Sequence, residues 1–263
     1  MARTLQELMN LRGQTALITG GSRGLGLQMA SALGELGARL VLSARKAHEL
    51  EAAAAQLRAQ GVDCSTVVAD GSQDEDVQRL AQTAIERLGQ IDILVNNAGA
   101  SWGAPAEDHP VASWDKVMDL NIRGIFLLTQ LIGKHSMLPR RRGSIINVAS
   151  IAGLGGNPQF MKTIAYNTSK GACITFTQAL AAEWGPSGIR VNAIAPGSFE
   201  TKMAAPMFAN GGAARLAANV PLRRTGDDED LKGVVALLAT DAGKHITGQI
   251  IAVDGGVSAV IAA

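Results

Sequence analysis

Tyr166 and Lys170 stand four residues apart in the run Tyr166-Asn167-Thr168-Ser169-Lys170. On a helix both side chains leave the same face, one turn apart. An ammonium beside a phenol favours the phenolate, which makes the pair a proton donor and acceptor suited to a carbonyl or alcohol oxygen. Upstream, the apolar run Ile145-Ile146-Asn147-Val148-Ala149 reads as a buried strand and ends at Ser150. A hydroxyl at the C-terminal end of a strand can hold the same oxygen. Tyrosine and lysine at this spacing are also common on helix surfaces, so the chemistry depends on what the other elements build around them.

The first such element is a short β-rich run, residues 15–19, which passes into Gly20-Gly21-Ser22-Arg23-Gly24-Leu25-Gly26 and then into a helical pattern. The glycines follow G-x-x-x-G-x-G. A glycine turn between strand and helix lets backbone approach a pyrophosphate, while the helix end offers free N–H groups and a positive dipole. The second strand, residues 39–43, leads into Ser43-Ala44-Arg45-Lys46, with no acid before Glu49. In dinucleotide folds an acid there binds the adenosine ribose when the cofactor is NAD. Arg45, with Arg23 from the turn, suits a 2′-phosphate instead. NADP(H) is therefore expected over NAD(H); the competing reading pairs Arg45 with Glu49 at i+4.

Helical signals cover residues 46–60, and a third strand, residues 63–69, ends at Asp70-Gly71. Asp70 there can hydrogen-bond an adenine amino group or cap the next helix, residues 74–88. A fourth strand, residues 91–95, runs into Asn96-Asn97-Ala98-Gly99, where small residues and amides can line a cofactor groove and tie strand ends together. This alternation of strands and helices predicts an α/β fold: a single-domain, Rossmann-type, doubly wound parallel sheet. Ligands on such sheets lie beyond the C-terminal strand ends. Gly20, Asp70, Asn96 and Ser150 all fall at such ends.

Composition narrows the function. The chain has 263 residues, 47% of them hydrophobic and 3% aromatic, with a net charge of +1. The scarcity of aromatics argues against a base-stacking surface, and the neutral balance against nucleic acid or anionic membrane as partners. No apolar run reaches the ~18 residues of a membrane span, and the first ten residues lack a signal-peptide core. Cys64 and Cys173 have neither metal nor redox spacing and read as buried free thiols. His48, His109, His135 and His245 show no metal spacing, so no metal is expected. A cytoplasmic protein is expected.

Taken together, Thr19-Gly20-x-x-x-Gly24-x-Gly26, Asn96-Asn97-Ala98-Gly99, Ser150, Tyr166-x-x-x-Lys170 and Pro196-Gly197 resemble the short-chain dehydrogenase/reductase family in order and spacing. The resemblance extends from about Leu11 to Val253-Asp254-Gly255-Gly256. It implies that Tyr166 is the catalytic acid and base, and that Lys170 tunes it and binds the nicotinamide ribose. Ser150 would position the substrate oxygen, and Asn121 would hold a proton-relay water. It implies Gly20, Ser22, Arg23, Gly24, Leu25, Gly26, Arg45, Asp70, Gly71, Asn97, Ala98, Gly99, Tyr166, Lys170, Pro196, Gly197 and Thr201 as the cofactor set. Pro196-Gly197 would turn the chain under the nicotinamide, and Thr201 would contact its carboxamide. The implied reaction is hydride transfer between NADP(H) and a small-molecule alcohol or ketone, with similarity to 3-oxoacyl-carrier-protein reductases and gluconate 5-dehydrogenases. A homotetramer is implied as well. The rivals are a lyase or epimerase with transient redox chemistry, and a dinucleotide-binding sensor without turnover. A hydrolase is weaker, because Ser150 lacks the G-x-S-x-G elbow.

Fifteen residues lie between Ser150 and Tyr166, more than the family usually has. The excess falls in the Gly- and Pro-containing stretch 154–161 and is expected to lengthen one wall of the substrate pocket. Residues 1–12 read as an N-terminal extension and residues 197–225 as a substrate lid. Asp227-Asp228-Glu229-Asp230 is expected to open the last long helix, and Arg140-Arg141-Arg142 to form a solvated turn. Asn121 is expected within a helix over residues 114–135.

Overall fold

A computed structural model describes residues 2–209 and 211–260. Its centre is one all-parallel, seven-stranded sheet of order β3-β2-β1-β4-β5-β6-β7. The strands are β1 (Thr15–Thr19), β2 (Arg39–Ala44), β3 (Cys64–Val68), β4 (Ile93–Asn96), β5 (Gly143–Val148), β6 (Ile189–Pro196) and β7 (Ile250–Val253). The order reverses between β1 and β4, so the two halves diverge there and leave a crevice above the strand ends. This agrees with the architecture expected from sequence.

Both faces of the sheet are covered, which is why the strands read as continuous apolar runs rather than alternating ones. Successive residues still point to opposite faces. Ala16 and Ile18 of β1, with Leu40 and Leu42 of β2, pack with Met29 and Leu33 of α2 (Gly24–Glu35), Leu50 and Leu57 of α3 (Ala47–Ala59), and Val235 and Leu238 of the helix Lys232–Ala239. Leu17 and Val41 point the other way. They pack with Val77, Leu80 and Ala84 of α4 (Asp74–Leu88), with Leu128 and Ile132, and with Leu180 of the long helix Ile164–Trp184. Ala and Leu fill both layers, as the low aromatic content requires. Burial pushes the Cys64 thiol up to about 11 and raises that of Cys173. Both are buried free thiols, poor nucleophiles in these surroundings.

Three expectations need correction. The helix expected over 114–135 is a longer continuous run, residues 111–140: α5 (Val111–Met118), α6 (Gly124–Ile132) and α7 (Leu138–Arg140), joined by the π-helical turns Asp119–Arg123 and Gly133–Met137. The acidic run 227–230 does not lie in the first turn of the last helix, which begins at Lys232. It forms a separate turn, in which Asp230 accepts hydrogen bonds from Arg224 and from the Asp227 N–H, and Asp227 accepts from the Glu229 N–H. Arg140 is not solvated: it donates to buried Asp92 at 2.7 Å and to the Ile91 carbonyl at 2.7 Å. Of the two readings open for Asp70, capping of α4 falls away, because the N-cap of that helix is Gln73. Residues at the N-terminus form a short helix, α1 (Leu5–Met9), closed by a Thr4–Glu7 capping box, and Leu11 is fully buried.

Among the described residues, no helix is long and apolar enough to cross a membrane. Arg140→Ala is expected to cost about 2 kcal/mol, because Asp92 then loses its cation while it stays buried. Urea unfolding measures this, and an unchanged midpoint would mean that Thr15 and Gln90 satisfy the carboxylate unaided.

Candidate active site

The glycine turn between β1 and α2 is built by close approach. Gly20 and Gly24 have φ of +64° and +51°, a region that favours glycine. A Cβ on Gly26 would sit 2.2 Å from the Gly20 carbonyl oxygen, and one on Gly20 would sit 2.7 Å from Asn97 Nδ2. Arg23 is the N-cap of α2 and its side chain makes no capping bond. The helix end therefore presents its N–H groups and positive dipole toward the turn, with Ser22 and Leu25 on either side of it. The structure thus has the cradle that a pyrophosphate needs.

Asn97 and Ala98 hold that turn from behind. Thr19 Oγ1 accepts from the Asn97 and Ala98 N–H groups at 3.0 and 3.1 Å. Asn97 Nδ2 donates to the carbonyls of Thr19 and Gly20. Its amide is thereby committed to backbone, so it shapes the groove by tying β4 to β1. Neighbouring Asn96 lies deeper and donates to Thr129 and to Asn147, whose amide in turn donates to Thr177. Gly71 lies beyond β3 against the start of α6: a Cβ on Gly124 would sit 1.9 Å from the Gly71 carbonyl oxygen.

Ser150, Tyr166, Lys170 and Asn121 converge around the end of β5. Tyr166 and Lys170 lie in the first turns of α8 (Ile164–Trp184), and Tyr166 is the chain's sole tyrosine. The Lys170 side chain is buried, donates to the Val148 carbonyl at 2.6 Å, and lies 5.7 Å from the Tyr166 ring centroid. Ser150 is the N-cap of the 3-10 turn Ile151–Gly153, and its hydroxyl accepts from the Ala152 N–H. Gly153 lets this turn seat directly on α8: a Cβ there would lie 2.5 Å from the Lys170 carbonyl carbon. Asn121 is fully buried in the first π-helical turn. Its amide donates to the Ala100 carbonyl and to Ser169 Oγ, and its oxygen accepts from the Ala100 N–H. Ser169 passes the contact on by donating to the Tyr166 carbonyl. Gly99 packs between Asn121 and Lys170, with room for no more than an ordinary contact at its Cβ position.

Ser169, Gly153 and Glu49 were not singled out as site residues by sequence. Ser169 lies inside the Tyr166–Lys170 motif, but only the fold reveals its bond to Asn121. The loop after Ser150 is pinned to α8 by amides: Asn157 donates to Thr163 and Asn167, and Asn167 donates to the Ala152 and Gly155 carbonyls. At the far end, Arg45 does not pair with Glu49. It lies 3.7 Å from Asp70, whose carboxylate also accepts from the Ser72 N–H and hydroxyl. Glu49 instead meets Arg23, Lys46 and Lys202. Burial pushes its carboxyl up, but hydrogen bonds from Lys202 and Lys46 and the Arg23 charge outweigh burial and hold it below the ordinary range. Pro196 closes β6. Gly197 packs on β7's end, where a Cβ would lie 2.7 Å from Asp254 Cα, and Thr201 lies beside Gly24. Among the described residues, no group of three or more His, Cys, Asp or Glu side chains comes together to hold a metal ion.

A family model described as enoyl-(acyl carrier protein) reductase matches residues 20–258. The chain belongs to the short-chain dehydrogenase/reductase family. It is 37% identical over 254 residues to a gluconate 5-dehydrogenase of Gluconobacter oxydans, with 96% of this chain and 97% of that one covered. It is 40% identical over 256 residues to the rhamnolipids biosynthesis 3-oxoacyl-[acyl-carrier-protein] reductase of Pseudomonas aeruginosa, covering 96% and 99%. The structure superposes with a TM-score of 0.91 on a gluconate 5-dehydrogenase from Burkholderia cenocepacia solved in complex with NADP and tartrate. That protein is 32% identical, with 98% of this chain and 100% of that one covered. This family member is an enzyme of the oxidoreductase class.

Gly153→Ala is expected to push the Ser150 turn off α8 and cut turnover roughly a hundredfold, since catalysis is sensitive to displacements of about an ångström. Turnover measured beside a thermal melt checks this. Wild-type turnover in a folded variant would mean that the 3-10 turn does not position Ser150.

Proposed function

We propose that this protein is an NADP(H)-dependent oxidoreductase that interconverts a secondary alcohol and a ketone. The observation that carries the reading is the buried Lys170 ammonium, held on the Val148 carbonyl beside the chain's sole tyrosine. In reduction the Tyr166 hydroxyl donates its proton to the substrate oxygen, and in oxidation it takes that proton back. Ser150 donates a hydrogen bond to the same oxygen and holds it in place. Lys170 steadies the phenolate that Tyr166 becomes and reaches the nicotinamide ribose. Asn121, clamped on Ala100 and Ser169, ties the helical run 111–140 to α8 and would orient the proton-relay water. A bound nicotinamide supplies or accepts the hydride at the carbonyl carbon.

The residues fit that cofactor. The glycine turn leaves space only for backbone against a pyrophosphate, and Ser22, Leu25, Gly71, Ala98, Gly99, Pro196, Gly197 and Thr201 border the crevice above the strands. Asp70 would accept a hydrogen bond from the adenine amino group. Arg23 and Arg45 supply cations for a 2′-phosphate, in keeping with the NADP bound to the Burkholderia relative. Residues 197–225, which carry α9 (Ala205–Phe208) and α10 (Gly212–Ala218), form the lid.

Exposed apolar side chains on the segments that adjoin the site support an acyl substrate. Trp102 lies between Ala100, which contacts Asn121, and Ala104, whose N–H donates to the Lys162 carbonyl just before α8. Leu154 and Phe160 lie in the stretch after Ser150, Ile164 lies two residues before Tyr166, and Met203 lies within the proposed lid; all are exposed. They suit the chain of a 3-oxoacyl thioester better than the hydroxyls of a keto sugar acid. The reading includes a cytoplasmic protein, supported by the absence of a membrane-crossing helix among the described residues, and a homotetramer, supported by the family resemblance alone.

Nicotinamide absorbance, followed with a 3-oxoacyl thioester mimic, a 5-keto sugar acid and a cyclic ketone, tests the reading. The thioester mimic with NADPH is expected to give the highest kcat/KM. Tyr166→Phe is expected to lose roughly a thousandfold in kcat. NADPH binding without turnover of any ketone would favour the sensor reading instead. Size-exclusion chromatography with light scattering should return four times the chain mass, and a monomer would remove the tetramer.

A further inference from the structure

Glu49 lies where an anion is expected. Its carboxylate, on the first turn of α3, meets three cations from three separate segments: Arg23 of the glycine turn, Lys46 just before α3, and Lys202 of the segment after β6. The cations are half exposed or more, while Glu49 is about one-fifth exposed (21%). The carboxylate is therefore the more sheltered partner, and the cations stay open to solvent. A fourth cation, Arg45, faces Asp70 close by.

We infer that Glu49 is a specificity-determining residue, one that competes with a 2′-phosphate for these cations and so narrows the protein's preference for NADPH over NADH. This inference rests on the cofactor reading above. A 2′-phosphate adds up to two negative charges at the adenosine ribose, whereas NADH presents neutral hydroxyls there. To engage Arg23 or Lys46, the phosphate must draw them from Glu49 or lie next to its charge, and both weaken binding. The ordering that Glu49 imposes on these long side chains does not offset this, because the phosphate needs them turned away from the carboxylate. The penalty falls on one cofactor alone. Asp70, already shared between Arg45 and Ser72, contributes the same sign more weakly.

Calorimetric titration of NADPH, NADH, 2′,5′-ADP and 5′-AMP into wild type, Glu49→Gln and Glu86→Gln tests this. Glu86 is exposed on α4 and bonded to Gln82, so its variant makes the same change in net charge away from the corner. Glu49→Gln is expected to tighten NADPH and 2′,5′-ADP about fivefold, a gain that fades at high salt. NADH and 5′-AMP should stay within about twofold, and Glu86→Gln should match wild type. Unchanged or weaker 2′,5′-ADP binding in Glu49→Gln would overturn the inference, because the carboxylate would then be organising the cations. An equal gain for 5′-AMP would overturn it too. If wild type bound NADH as tightly as NADPH, the cofactor reading would fail. The ratio of 2′,5′-ADP to 5′-AMP affinity in Glu49→Gln would still decide the role of Glu49.

Discussion

A cation buried at the end of a strand sets the terms for this site. Lys170 is almost wholly out of water, and its ammonium hydrogen-bonds to the Val148 carbonyl. A buried charge without partners is costly, so α8 must stay where this bond can form. That requirement fixes the helix against β5 and carries Tyr166 with it. It also explains why backbone closes in from several sides, with Gly153 beneath the helix and Gly99 between Lys170 and Asn121.

The nucleotide end rests on backbone contact too, but there small size does the work rather than charge. Gly20 and Gly26 touch, and Asn97 closes over them with its amide on two carbonyls. Charge enters further out, where the cations are exposed and already paired. One part of the crevice is therefore shaped by close backbone contact, and the other is a solvated set of ion pairs. Exposed pairs of that kind contribute little to stability, which leaves the corner free to serve recognition.

Most of the fold was legible in the sequence because the strands are largely apolar runs that give way to polar or small residues, as at Thr19-Gly20, Asn96-Asn97, Ala149-Ser150 and Pro196-Gly197, and alternate with helical patterns. The candidate residues Ser150, Tyr166 and Lys170 were legible as a spaced motif, whereas Asn121 was reached only through the family resemblance, because its position alone reads as a helix amide. What escaped depends on partners far along the chain or on distinctions without a local signal. Arg140 read as one member of a charged run because Asp92 lies 48 positions away. The π-helical turns around Asn121 and His135 have no composition that separates them from ordinary helix. The acids 227–230 suit a turn as well as a helix start, and Arg224 decided between the two. Ser169 was in plain view, yet only the crossing of two helices gives its hydroxyl a task.

The tie between Thr19 and Asn97 also bears on how the molecule comes to be folded. The two residues lie 78 positions apart, so the glycine turn emerges from the ribosome long before the residues that brace it. The strands β1, β2 and β3 are contiguous in sequence and adjacent in the sheet, and they can associate early. Their outer edge at β1 stays unpaired until β4 arrives. Long-range parallel pairing is slow, and an open strand edge is prone to aggregation in the meantime. The nascent chain is thus most exposed to misassembly during the interval between synthesis of the glycine turn and docking of β4, with its Asn96-Asn97-Ala98-Gly99 end, against it.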